Sequence, residues 1–152
     1  MKNLICLLSI FLGINAEAAW SPYWLQKSVV TLSAAQIESA FATPILILPS
    51  VSGKIIHLIS VNYEYLYGGT PFVVTSGQVA VQSEGISPPW TSAEPTAGLL
   101  DQTSNTEAYA VPGAPGNSMD VRDLGLVFQS FDSGISGGNG SLRLVMYYMV
   151  LD

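Results

Sequence analysis

The sequence predicts an all-β chain: an antiparallel β-sandwich, wired as a jelly roll, with one short helix near residues 33–41. Three observations carry that expectation. Short apolar runs recur along the chain, several with the period-two alternation of half-buried strands, and Gly, Pro, Ser and Asn separate them. Only "SAAQIESAF" has helical spacing. The closing run "LRLVMYYMVL" is apolar on both strand faces, which asks for cover on both sides.

Residues 19–28, opening "AWSPYWLQK", form an aromatic lead-in arm, and a single domain follows over 29–152. "VVTL" (29–32) is a short strand. Ser33 and Gln36 have the S-x-x-Q spacing of a capping box. Ala34, Ala35, Ile37, Ala40 and Phe41 then make a helical turn or two, which Thr43-Pro44 ends. "ILIL" (45–48) is a buried strand between two prolines, and "SVSG" (50–53) turns the chain.

The next strand runs from Lys54 to about Tyr67. Strict alternation puts Ile55, His57, Ile59, Val61, Tyr63, Tyr65 and Tyr67 on one side. Gly68-Gly69 breaks it, and "PFVVT" and "QVAVQ" supply two strands around a Ser76-Gly77 turn. Residues 83–118 are a long Pro/Gly/Ser/Thr excursion, with a helical turn at "LLDQ" and a short strand at "EAYAV". Loops of that length usually serve function or cover an interface. "DLGLVFQSF" (123–131) returns to strand, and "DSGISGGNGS" (132–141) is a hairpin loop with the turn pair Asn139-Gly140. In the last strand Leu142, Leu144, Met146, Tyr148 and Val150 share one face; Val145, Tyr147, Met149 and Leu151 share the other, broken only by Arg143. A neighbouring copy is the economical cover for the second face, so a homo-oligomer is expected.

The 152 residues suit one domain, but only 11 % are charged against roughly 25 % in an ordinary soluble chain. The net charge is −6, and beyond Lys2 the cations are Lys27, Lys54, Arg122 and Arg143. Four scattered cations cannot track a phosphate backbone, which excludes nucleic acid as a partner. Residues 1–18 read as an apolar leader, with Lys2, the run "LICLLSIFLGI" and an A-x-A signal in "AEA". The run falls short of the ~20 residues of a transmembrane helix. Cleavage after Ala18 places the protein outside the cell or at its surface; a retained leader is an arm that packs into a neighbour or a membrane. Cys6 is the only cysteine and lies inside the leader, so cleavage leaves no thiol chemistry.

Few residues offer catalysis. His57 is the only histidine, sits mid-strand among apolar neighbours and lacks a nucleophile elbow, so it reads as structural. Asp120 and Asp123 bracket Arg122 and read as a local ion-pair cluster rather than a glycosidase pair. Joined by Asp101 or Asp132 they offer calcium some oxygens, but without the loop spacing that calcium sites use. "GISGGNG" opens a strand and not a helix, so it is no phosphate loop. No catalytic, metal-binding or cofactor-binding residue is assigned. The candidate interface or ligand face comprises Tyr63, Tyr65, Tyr67, Tyr147, Met149 and Trp90. The tyrosine row with Trp20, Trp24 and Trp90 offers flat rings to a sugar, but Ile55, Ile59 and Val61 share its face, so it reads first as a core edge and subunit contact.

Residues 30–72, "VTLSAAQIESAFATPILILPSVSGKIIHLISVNYEYLYGGTPF", and 136–150, "SGGNGSLRLVMYYMV", resemble small structural proteins encoded by tailed bacteriophages. The shared pattern is a helical "SAAQI" before "TPILILP", a Gly-Lys strand, a "YGGT" turn and a Gly-rich approach to a Leu-Arg-Leu strand. The resemblance implies a jelly-roll-like virion component, a head decoration or fibre protein, commonly trimeric, and brings no active-site residues. A secretory leader departs from that pattern, because phage heads assemble in the bacterial cytoplasm; the leader is then an assembly arm, or the chain a host-exported or surface relative. The expected function is a non-enzymatic assembly protein at the virion surface, whose partners are its own copies and a capsid or other virion protein. The alternative is a secreted carbohydrate-binding module that uses Tyr63, Tyr65 and Tyr67.

Overall fold

A computed structural model describes residues 25–75, 79–85, 98–113, 122–131 and 134–152. Among these residues seven strands and one helix follow in order: β1 (Leu25–Leu32), α1 (Ala34–Ser39), β2 (Ile45–Leu48), β3 (Ile55–Leu66), β4 (Val79–Ser83), β5 (Thr106–Ala110), β6 (Leu126–Ser130) and β7 (Ser141–Leu151). They form two antiparallel sheets, ordered β1-β7-β3-β5 and β2-β6-β4. The all-β sandwich expected from the sequence is the fold observed, with one short helix among the described residues.

The local signals explain several elements directly. Ser33 caps α1: its hydroxyl accepts from Gln36 N at 3.4 Å, while its own N–H donates to Gln36 Oε1 at 3.0 Å. That reciprocal pair satisfies backbone donors that a helix start leaves open. Ile37 and Ala40 bury the inner side of this turn completely. "ILIL" is β2 as expected, with an irregularity between Leu46 and Leu48 where it meets β6. β1 begins at Leu25, four residues before the expected start, so the end of the lead-in arm is strand. The long β7 is the reason, since it carries the pairing out to Leu25↔Met149.

Strict alternation fails in β3. The register against β7 slips between Leu58↔Tyr148 and Ser60↔Tyr147, a β-bulge that inserts one extra residue. Before the bulge the buried apolar residues are Ile56 and Leu58; after it they are Val61, Tyr63 and Tyr65. Ile55 and His57 therefore lie on the opposite face from the tyrosines, contrary to the period-two reading.

Two expected hairpins are also absent. "PFVVT" makes only an isolated bridge, Val73↔Ser136, while β4 pairs with β6. Likewise β6 and β7 belong to different sheets, so the Gly-rich stretch between them is a crossover and not a hairpin loop. Long-range contacts override the turn pair Asn139-Gly140. Asn139 Oδ1 accepts from Thr70 N at 2.9 Å, and Asn139 N donates to Thr70 O at 3.2 Å. The glycines allow this docking: a Cβ on Gly138 would lie 2.3 Å from Phe72 Cγ, and one on Gly140 would lie 2.5 Å from Tyr65 Cε2.

The core fills the space between the sheets. Tyr63, Tyr65, Phe72, Phe128, Leu142, Leu144 and Met146 are among its fully or almost fully buried side chains. Tyr63 also joins the two sheets, because its hydroxyl accepts from Val81 N at 3.0 Å.

Candidate functional site

The strand register builds one extended surface, the outer face of the four-stranded sheet. Four rows cross it: Leu25, Met149 and His57; Lys27, Tyr147 and Ser60; Val29, Val145, Asn62 and Tyr109; and Thr31, Arg143, Glu64 and Glu107. The first and third rows are mostly apolar or aromatic, the second mixes Lys27, Tyr147 and Ser60, and the last is mostly charged; Val145 and Ser60 within these rows are buried. Leu25 is 49 % exposed, Val29 45 % and Tyr109 67 %. Tyr147 and Met149 are half-buried between them.

Charges organise this face without covering it. Lys27 Nζ stands 5.8 Å from the centre of the Tyr147 ring, within cation–π range. Arg143 Nη1 donates to Glu64 Oε2, fixing the charged row at one end. A sheet face of this kind offers apolar contact area with a polar margin, which is how protein interfaces are composed.

The candidate residues separate into three groups. Tyr147 and Met149 lie on the outer face, as an interface reading asks. Tyr63 and Tyr65 do not; both are wholly buried between the sheets, so neither can stack on a sugar or meet another subunit in the folded chain. Tyr67 sits half-buried at the rim, where its hydroxyl donates to Gly69 O at 2.6 Å and its N–H donates to Asn105 Oδ1 at 2.9 Å. Trp90 lies outside the described residues, as do Trp20, Trp24, Asp120, Asp132 and the leader. Leu25, Val29 and Tyr109 were missed, although the alternation of "LQKSVVTL" and "EAYAV" carries the signal for all three.

Burial of Tyr65 raises the pKa of its phenol, with smaller contributions from Tyr67 and Asp101. The Tyr65 hydroxyl has no hydrogen-bond partner. Its ring meets Phe72 in a tilted contact with centres 6.1 Å apart. These features describe a packed core tyrosine and not a reactive one.

Of the acidic candidates, Asp123 serves as a loop clamp. Asp123 takes a left-handed conformation at φ 62°, and its Oδ1 accepts from Gly53 N at 2.5 Å. Arg122 Nη1 donates to Gly53 O at 2.6 Å. Together they hold the turn before β3 against the approach to β6; the ion-pair cluster expected of Asp120, Arg122 and Asp123 involves Asp120, which lies outside the described residues. Lys54 in the same turn pairs with Asp152, and this hydrogen bond and charge lower the Asp152 pKa. Among the described residues no group of three or more His, Cys, Asp or Glu is placed to hold a metal ion. Among them, too, no helix is long and apolar enough to cross a membrane.

No protein-family model matches the chain, and no curated protein or solved structure was found to match it.

Proposed function

We propose that this protein is a non-enzymatic assembly component that works by self-association through the outer face of its four-stranded sheet. The observation that carries the reading is the exposed apolar surface formed by Leu25, Val29 and Tyr109 around Tyr147 and Met149. Exposed apolar patches of this kind mark interaction sites on soluble proteins. The face also carries both signs of charge, with Lys27 and Arg143 near Glu64 and Glu107, so a second copy can meet it without like-charge conflict.

We further propose jelly-roll wiring and a place at the virion surface, with a trimer as the favoured assembly. A jelly roll with strands lettered B to I has sheets B-I-D-G and C-H-E-F. Lettering β1 to β7 as B, C, D, E, G, H and I reproduces both orders with F left out, which supports that wiring. In chain order F belongs between β4 and β5. The virion assignment rests on the resemblance of residues 30–72 and 136–150 to tailed-phage structural proteins.

The test is a double substitution, Leu25→Lys with Val29→Lys, followed by native mass spectrometry of the full chain. Both residues are exposed on an edge strand, where lysines are tolerated, so the fold should survive. A wild-type oligomer that becomes a monomer in the variant supports the reading. An oligomer that keeps its mass in the folded variant places the contact elsewhere and contradicts it.

A further inference from the structure

We infer that a hollow on the outer face of the three-stranded sheet binds a single neutral sugar ring. The hollow measures about 360 Å³ and lies on the opposite side of the sandwich from the proposed self-association face. Pro44, Leu46 and Val127 form its apolar lining, and Gln82, Gln129 and Glu84 supply its polar groups. The register sets Leu46, Val127 and Gln82 in one row across β2, β6 and β4, with Gln129 two residues along β6 from Val127.

Gln82 is the informative residue. It is only 4 % exposed, yet it lines the hollow. Its Nε2 donates to Gln129 Oε1 at 2.6 Å, while its own Oε1 is buried without a hydrogen-bond partner. That oxygen is closed to solvent, so a donor reaches it once the Gln82 amide turns into the hollow, and the hydrogen bond then gained stabilises it. Exchanging O and N in both amides preserves the pair and leaves an N–H at the same position. A hydroxyl, which both donates and accepts, satisfies either arrangement; an ammonium satisfies only one.

The rest of the lining narrows the class further. The apolar side chains suit the C–H face of a pyranose, and the Glu84 carboxylate accepts from a second hydroxyl at the rim. The same carboxylate repels acidic sugars. The volume lies near the lower end of ligand pockets, ~300–1,000 Å³, so it suits one ring and not an oligosaccharide. With aliphatic side chains where sugar sites often have aromatic ones, the affinity should be weak, in the millimolar range. The site uses none of the tyrosines 63, 65 and 67, and its failure would leave the self-association reading untouched.

The test is an NMR titration of the ¹⁵N-labelled full chain, following the side-chain amide signals of Gln82 and Gln129. The probes are glucose, galactose, mannose and N-acetylglucosamine, with glucuronic acid as the charged comparison. At least one neutral sugar should shift both signals saturably, with glucuronic acid at least about tenfold weaker, an electrostatic discrimination of the size that like-charge contacts produce. Gln82→Leu should weaken binding by about tenfold or more, the scale of one buried hydrogen bond. Leu46 is 55 % exposed, so Leu46→Asp should keep the fold while placing a charge on the apolar lining, and should weaken binding as much. The inference is overturned if no sugar gives a saturable shift, or if Leu46→Asp leaves the response unchanged.

Discussion

Tyr63 and Tyr65 are two residues apart, equally buried and chemically identical, yet their hydroxyls have opposite circumstances. Tyr63 satisfies the Val81 N–H across the sandwich, whereas the Tyr65 hydroxyl has no partner. Removing one partner of a buried hydrogen bond costs about 1–3 kcal/mol, and removing an unsatisfied hydroxyl recovers part of a comparable penalty. Tyr63→Phe should therefore lower the unfolding free energy by about 1–3 kcal/mol, and Tyr65→Phe should raise it by about 1 kcal/mol, both read from urea midpoints. Equal losses in the two variants would contradict this assignment. Tyr65→Ala, which looks from the sequence like a probe of an oligomer contact, should instead unfold the domain or leave a core cavity, costing about 3–5 kcal/mol.

Two titrations belong to the same scale. The folded-state pKa of Tyr65 is raised, so its contribution is fully present below the unfolded value near 10 and is lost as pH rises through the folded value. Alkaline unfolding should shift upward in Tyr65→Phe. For Asp152 the pKa is lowered, so its contribution is present above the ordinary carboxylate range and is lost as pH falls through the folded value. Asp152 is almost fully exposed, with a side chain 94 % accessible, and exposed ion pairs stabilise little. Asp152→Asn should leave the thermal midpoint at pH 7 unchanged within error.

Among the elements, the "SGGNG" crossover and the "YGGT" segment are most closely matched. They are far apart in sequence and lie against one another through Asn139, Thr70 and glycines without side chains. A Cβ at Gly138 would collide with several atoms of the Phe72 ring, whereas one at Gly137 would meet nothing within 4 Å and would strain only the backbone at φ 74°. Gly138→Ala should cost up to about 3 kcal/mol by overpacking, and Gly137→Ala about 1 kcal/mol. Comparable losses at the two positions would mean that ring contact does not govern this crossover. The sequence made β2, β7 and the Ser33 capping box legible because their signals are local. It misled wherever a distant contact decided the outcome. The bulge in β3 shows in the sequence only as even positions that turn from apolar (Ile56, Leu58) to polar (Ser60, Asn62, Glu64), which alternation reads as one face opening to solvent. Asn139-Gly140 has the same local chemistry in a hairpin as in a crossover.

For the whole molecule, the sandwich was legible and the location of the proposed self-association face only partly so. The two apolar sides of β7 pointed to a covered outer surface, and Tyr147 and Met149 lie there. The tyrosine row did not, because the bulge turns Tyr63 and Tyr65 inward. The exposed partners Leu25, Val29 and Tyr109 sit on edge strands whose pairing with β7 and β3 could not be read from the sequence. That face is the centre of the account, and sedimentation equilibrium of the full wild-type chain over a wide concentration range tests it most directly. We expect a closed oligomer, with three copies favoured, that dissociates to monomers only on dilution; a chain that stays monomeric at every concentration would contradict self-association.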